Sequence, residues 1–568
     1  MKKILFAIFG AALLLCASCQ EQNMQIEQIP YRQVIEYTPG TYTMEVSGTV
    51  VAGNYDWISF TQSGNTLTYT VTRNTKDAIR RAEFPIQGTD EQVVISQKAH
   101  ALDASLTTTV AVQGATSATF QMALTTKYGD DYASWGIIYG TESDMSKGKN
   151  VPQKGLAVGK NFAEIEGLVE GADYFIWSYV VSTEGDVIYS SACPMIAPVF
   201  VRAGESLQKA IDNAKEFQEI RVLGGLTFNG NIDILDANKN KALSGGWNED
   251  FTEQSMDNLT IIDGEDANYG IFCAADKDDN PLQGYFEVSY FGFTRCKGGH
   301  GPCVHICGGP LTVHHCKIYN NTQISSKGAI GTREEDFGSD LIVYNCIFEG
   351  NIADGHGACL GLGDGEEGDI VTATVVNNLF INNRSESFGG YASIFICYNH
   401  TELVFVNNTV VNNFNYMDGD DKYSGMMFRG NTRNLIANNI IVGNTLSEDN
   451  LEPPVEFPHP NYINLGGSYA VLANNIIESD IKENQNMTSK DNQMFDAGFD
   501  YSKVISNDYQ PLGSAIGAGT LGEYTITFNS GLTNTVSVEN VLAKYDTDLA
   551  GNPRVVNGKV DLGCYQTK

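Results

Sequence analysis

His315-Cys316-Lys317-Ile318, Asn345-Cys346-Ile347-Phe348, Asn377-Asn378-Leu379-Phe380, Asn407-Asn408-Thr409-Val410, Asn438-Asn439-Ile440-Ile441 and Asn474-Asn475-Ile476-Ile477 are one short pattern repeated every 30 to 36 residues. Between the copies stand small-residue starts: Gly301-Pro302-Cys303, Gly328-Ala329-Ile330, Gly357-Ala358-Cys359, Gly390-Tyr391-Ala392 and Gly425-Met426-Met427. A fixed period in this range, built of short strands and turns, predicts a solenoid. Coils stack about 4.8 Å apart, so equivalent side chains form ladders, and an Asn amide can bond up and down the stack. The expected architecture is a right-handed parallel β-helix.

The flanks of the repeat agree with this reading. Glu205-Ser206-Leu207-Gln208-Lys209-Ala210-Ile211-Asp212-Asn213-Ala214 carries apolar residues at helical spacing, ahead of the strand Arg221-Val222-Leu223. A short helix there would cap the open end and cover its edge. Leu243-Ser244-Gly245-Gly246-Trp247 and Leu259-Thr260-Ile261-Ile262-Asp263-Gly264 resemble the opening coils of surface β-helix proteins of the outer-membrane repeat type. The chain closes on Gly513-Ser514-Ala515-Ile516-Gly517-Ala518-Gly519, Asp548-Leu549-Ala550-Gly551-Asn552-Pro553-Arg554 and Val560-Asp561-Leu562-Gly563-Cys564-Tyr565. These resemble the ending of the choice-of-anchor Q β-helix proteins, with Cys564 and Gln566 departing from its usual close. The β-helix is expected over residues 201–568.

Two β-sandwiches are expected before it. Over residues 29–100, Trp57-Ile58-Ser59, Tyr69-Thr70-Val71-Thr72-Arg73-Asn74, Arg80-Arg81-Ala82-Glu83-Phe84 and Ile95-Ser96-Gln97 resemble the BACON domain of Bacteroidetes glycan-processing proteins. That name implies carbohydrate binding, but Trp57 reads as core and the domain as a spacer. Over residues 101–200, Phe162-Ala163-Glu164-Ile165-Glu166-Gly167-Leu168 and Gly171-Ala172-Asp173-Tyr174 resemble a fibronectin type III domain. The resemblance implies a core Leu168 and a corner hydrogen bond from Tyr174.

The N-terminus reads as an export signal. Lys2 and Lys3 precede an apolar run over residues 4–15 and then Cys16-Ala17-Ser18-Cys19. That run is too short for a membrane-spanning helix, and small residues stand before Cys19. The pattern resembles a lipobox over residues 1–18, with Cys19 as the lipidated residue and 19–28 as a tether. Gln20-Glu21-Gln22-Asn23 resembles the tether that sends Bacteroidetes lipoproteins to the exterior, so an outer-membrane location is expected with lipid as the only membrane contact. The 568-residue chain is all-β in composition, with 58 Gly against 15 Pro. Its net charge of -32 argues against nucleic acid, whose phosphates reward Lys and Arg.

Chemistry can sit in several places. His300, Cys303, His305, Cys307, His314, His315 and Cys316 look like a zinc set, but zinc needs four donors converging about 2.3 Å from one point, which a ladder does not provide. Alternation would put Cys303, His305 and Cys307 on one face, and Cys316 and Cys346 share a register as stacked thiols. His300 and His356 stand in Gly-His-Gly turns that invite comparison with polygalacturonases, without the paired Asp and Arg-x-Lys of that chemistry. The neighbouring turns Arg333-Glu334-Glu335-Asp336-Phe337-Gly338-Ser339-Asp340 and Gly363-Asp364-Gly365-Glu366-Glu367-Gly368-Asp369 hold eight carboxylates. Such oxygen donors suit calcium, and glycines allow the tight backbone. Glu334, Glu335, Asp340, Asp364, Glu366, Glu367 and Asp369 are the candidate metal ligands. Arg333, Tyr416 and Tyr423 are candidate sugar contacts, the tyrosines as aromatic planes. Pectate-lyase-like enzymes share the β-helix and often use calcium against uronates. Three readings stand together: a surface lipoprotein that binds or helps process an extracellular polysaccharide, a calcium-assisted lyase, and a non-catalytic adhesin.

Overall fold

The computed structural model describes residues 31–235, 241–276, 284–299, 301–324, 328–332, 340–354, 357–361, 371–386, 394–397, 401–415, 426–428, 432–446, 463–464, 469–478, 486–496, 498–527 and 533–567. The chain falls into two compact units. One takes the segments up to Thr109, Phe120–Ala163 and Phe175–Cys193; the other takes Val110–Thr119, Glu164–Tyr174 and Pro194–Lys568.

The first unit opens with a small sandwich. One sheet orders Tyr31–Ile35, Gln92–Gln97 and Arg80–Pro85; the other orders Gly40–Glu45, Thr66–Val71 and Ile58–Ser63. Alternation along Thr66–Val71 sends Leu67, Tyr69 and Val71 into one core. Trp57 belongs to that core, 7% exposed, with the Arg80 guanidinium 4.5 Å over its ring. It is a packed core residue with no open face to offer a sugar. The next sheets contain Lys149–Gln153, Tyr132–Gly140, Tyr174–Ser182 and Val187–Tyr189 in one, and Gly159–Glu166, Ser117–Thr125 and Ser105–Gln113 in the other. Leu168 is buried, and Val169 donates its N–H to the Tyr174 hydroxyl at 3.0 Å, the corner bond expected from the sequence.

The second unit, apart from its segments Val110–Thr119 and Glu164–Tyr174, is built on a parallel β-helix. Helix Leu207–Asn213, N-capped by the Ser206 hydroxyl, drives Leu207 and Ile211 into the end of the core. A coil then visits four parallel sheets in turn, for example Leu311–His314, Lys317–Tyr319, Thr322–Gln323 and Ile330–Thr332, before Leu341–Tyr344 begins the next rung. Among the described residues the first sheet has eleven strands, the second ten, the third six and the fourth eight. Pleating aligns inward columns. Val313, Val343, Val375, Phe405, Ile436 and Leu472 follow one another in register through the core. Phe348 and Phe380 stack at 4.8 Å one rung apart.

The repeated Asn has two jobs. His315, Asn345, Asn377, Asn407, Asn438 and Asn474, between first and second sheets, take positive φ of 51, 53, 59, 57, 60 and 53°. Asn tolerates this left-handed backbone far better than β-branched residues do. The next residue turns inward. Asn378, Asn408, Asn439, Asn475 and Asn492 form a buried ladder in which each Nδ2 and backbone N–H donates to the Oδ1 one rung on. A second ladder, Asn321, Asn351, Asn383, Asn413 and Asn444, stands five residues further along each coil. Cys316 and Cys346 occupy the head of the first ladder as buried free thiols.

The last coil strands are Met487–Lys490 and Gln493–Phe495. The chain then returns along the outside. Tyr524, Ile526, Val538, Leu542, Tyr545 and Val560 bury against Val376, Val406, Leu435, Ala437, Val471 and Ala473. Val504, Ile505, Ala515, Leu549 and Leu562 bury against Leu379, Ile381, Val411, Ile440, Val442 and Ile476. The Asn turn row holds this cover by its amides: Asn377 donates to Thr547 O, Asn407 to Asp561 O, Asn438 to Thr520 O and Asn474 to Ala518 O. Arg554, wholly buried, donates to the carbonyls of Asp561 and Gly563, and burial pulls its pKa down to about 10. The sequence reading carried the solenoid on to residue 568; the outward-facing apolar rows of the last coils are the reason the chain doubles back instead.

Candidate functional site

Length variation locates the face free to carry function. From the coil of Leu341–Tyr344 onward, the connection from first to second sheet is always two residues, as is that from second to third. Both corners are fixed by an αL residue and a ladder residue, and neither admits an insertion without breaking a ladder. The connections entering the fourth sheet grow instead, from residues 324–329 and 354–359 to 386–394, 416–425 and 447–462. Those leaving it hold the long stretches 333–340 and 362–370. Insertions on one face of a repeat array mark its binding face. The first and second sheets are covered from outside in the later coils, and of the other two the fourth is the one with insertions on both sides.

Down the outer face of that sheet, Asp233, Phe272, His305, Gly331 and Gly361 follow in register. His305, for example, stands in the middle of a strand whose flanking Val304 and Ile306 point into the core. Phe272 stacks on His305 with centroids 5.4 Å apart and meets Tyr269 edge-on at 6.3 Å. The Tyr269 hydroxyl donates to Asp233 Oδ1 at 2.5 Å, and burial together with that carboxylate raises its pKa. His305 Nε2 lies 3.3 Å from Cys307 Sγ. Gly331 and Gly361 extend the row without side chains; His305 and both glycines are buried and Phe272 is half-buried.

The zinc reading does not survive the geometry. Cys303 and Cys316 face the core, His305 faces out on the fourth sheet, and His314 faces out on the first, where it meets Glu287 and His315. Cys303 does not share a face with His305 because it precedes the strand Val304–Ile306, at the bend where alternation does not yet hold. Among the described residues no group of three or more His, Cys, Asp or Glu side chains is arranged to hold a metal.

Of the candidate ligands, Asp340 is described. It is exposed and accepts from the Thr372 N–H at 3.3 Å and hydroxyl at 2.7 Å, tying one coil to the next. Glu334, Glu335, Asp364, Glu366, Glu367 and Asp369, with Arg333, Tyr416, Tyr423 and Cys19, lie outside the described residues, as do His300 and His356. Their chain positions are still informative. The acidic stretches follow the fourth-sheet strands Ile330–Thr332 and Leu360–Gly361 directly, and Tyr416 and Tyr423 fall just before the fourth-sheet strand Met426–Phe428. Sequence reasoning named the inserts but missed the row between them; the signal was the in-register Gly331 and Gly361, each just ahead of an acidic stretch.

No family model matches the chain, and no curated protein matches it. Among solved structures it is similar to a family 28 exopolygalacturonase of Yersinia enterocolitica, 11% identical over 70% of this chain and 99% of that one, TM-score 0.22. It is also similar to pectate lyase PelI of Erwinia chrysanthemi in complex with tetragalacturonic acid, 10% identical over 69% and 100%, TM-score 0.13. The chicken CNTN1 FN1–FN3 domains are 11% identical over 29% of this chain and 68% of that one, TM-score 0.17. These scores are low, and the function of this chain has to be argued from its own residues.

Proposed function

We propose that this protein is an exported lipoprotein, anchored through Cys19 to the outer membrane, whose β-helix binds an extracellular polysaccharide along its fourth sheet. The observation that carries the reading is the outer row from Phe272 through His305 to Gly331 and Gly361, flanked on both sides by the coil insertions. An aromatic plane such as the half-buried Phe272 suits a pyranose face, and a linear row matches a linear polymer better than a small ligand. The acidic inserts at 333–340 and 362–370 favour acidic glycans held through calcium, and with them a lyase reading in which the cation neutralises a uronate.

One experiment addresses both. The mature protein is titrated against neutral and uronic-acid polysaccharides, with and without calcium, following binding by calorimetry and new double bonds by ultraviolet absorbance. Binding that falls at least tenfold in Phe272→Ala, without new absorbance, supports the binder. Calcium-dependent absorbance supports the lyase. No binding to any glycan of the panel, or binding indifferent to Phe272, overturns the assignment of this face.

A further inference from the structure

At the corner between the first and second sheets, the coil before the Asn row carries His315 in the αL position, φ 51°, beside His314. Four polar contacts run in line through this pair. Glu287 Oε1 lies 3.1 Å from His314 Nε2, His314 Nδ1 lies 2.9 Å from His315 Nδ1, His315 Nε2 lies 3.2 Å from Asn345 Nδ2, and Asn345 Nδ2 lies 3.3 Å from Thr547 Oγ1 in the covering segment. Ring stacking fixes both imidazoles, His314 on Tyr344 at 4.7 Å and His315 on Tyr290 at 4.8 Å.

The donors can be assigned by elimination. A carboxylate only accepts, so His314 Nε2 carries a proton and, in the neutral ring, Nδ1 accepts. His315 Nδ1 is then the donor between the rings, and His315 Nε2 accepts from the Asn345 amide. This arrangement leaves Asn345 Oδ1 buried without a partner. A second arrangement holds one more proton. The proton between the rings crosses to His314 Nδ1, a proton from solvent is taken up at His315 Nε2, and the Asn345 amide turns over so that Oδ1 accepts from both His315 Nε2 and the Thr547 hydroxyl. The cation then sits on His314 against Glu287, and the orphaned oxygen is satisfied in exchange for the two contacts of Asn345 Nδ2.

We infer that Glu287, His314, His315 and Asn345 form a proton-operated relay in which protonation of His314 turns over the amide that holds Thr547 of the covering segment. Glu287 is the charged group facing the pair. The other titratable neighbours are Tyr290 from the preceding coil, Tyr344 from the next, Cys316 below and Tyr545 from the cover. Burial raises the pKa of Tyr290 and Tyr344, which therefore stay neutral. Burial, and then the nearness of His314, pull His315 down to about 4, so His315 changes tautomer rather than charge.

The test uses the full chain labelled with 15N-histidine, with His314→Asn and His315→Asn spectra for assignment. Nitrogen shifts separate Nδ1–H from Nε2–H tautomers. His315 should pass from the Nδ1–H to the Nε2–H form as the pH is lowered. Asn345→Asp, which offers an acceptor in either orientation, should move the passage to the Nε2–H form to higher pH. A His315 tautomer that does not change with pH in the wild type, or that changes at no higher pH in Asn345→Asp, overturns the relay.

Discussion

Asn413→Ala tests the interior amide ladder where it is best connected. Asn413 Oδ1 accepts from the Asn383 backbone N–H and Nδ2, each at 2.9 Å, and its own Nδ2 donates to Phe380 O at 3.0 Å and to Asn444 Oδ1 at 2.9 Å. All three asparagines are essentially inaccessible to water. Truncation therefore strands two donors of Asn383 in the core, each costing about 1–3 kcal/mol, so a loss of about 4 kcal/mol is expected. Asn413→Asp keeps the acceptor but sets a buried carboxylate against Asn444 Oδ1, and should be worse than alanine. Hydrogen exchange followed by mass spectrometry reads this locally. Protection of the Asn383 amide should fall about a thousandfold, spreading to the neighbouring coils because each coil is supported only by those beside it. If alanine changes denaturant stability by less than about 0.5 kcal/mol and leaves that amide protected, the ladders are ornaments of the turns and side-chain packing alone holds the coils.

The other expectations follow from single features. His315 has a native pKa of about 4 against about 6.5 unfolded, so its contribution is intact above pH 6.5 and is lost as pH falls towards 4, up to about 3 kcal/mol; His315→Asn, the residue of the later coils, should flatten that part of a pH series of denaturant midpoints. If the acidic stretches bind calcium, the melt should rise with the ion, by about 2.7 kcal/mol of stability at a hundred times its dissociation constant, and Glu335, Asp364 and Glu367 changed together to amides should abolish the response; a melt unmoved by millimolar calcium refutes it. Removing residues 498–567 should expose the apolar outer rows of both sheets, giving dye binding and aggregation, whereas a soluble, monomeric product would mean the cover is dispensable. Labelling with a fatty-acid analogue should mark the wild type and miss Cys19→Ala; equal label in both would refute lipidation.

Much of the architecture was legible because a solenoid writes its geometry into the sequence once per coil. The Asn pairs announced both the period and the first ladder, and the amphipathic stretch at Leu207 announced the cap. The second ladder was equally regular but easier to overlook, since its turn residue alternates between Asn and Gly, as at Asn320, Gly350, Asn382, Asn412 and Gly443, and only the residue after it is constant. The covering segment was not legible at all. Its hydrogen-bond partners in the Asn turn row stand from 44 to 202 residues away, and outward apolar residues such as Val406 and Val442 look like any strand residue until something is seen to lie on them. For the candidate site, chemistry pointed to the inserts, while the row between them depends on register. Asp340 shows the limit of counting carboxylates, because its side chain is engaged by Thr372.

The cover over residues 498–567 also imposes an order of events. Those residues come later in the chain than the coils they shield, so every coil from Val371 to Glu478 must be made, and in an exported chain delivered, with its outer flank still greasy. A half-delivered molecule is therefore sticky in a way the finished one is not. That gives the cell a built-in mark of incompleteness, on which a holding chaperone or a protease can act before the final segment arrives and erases it.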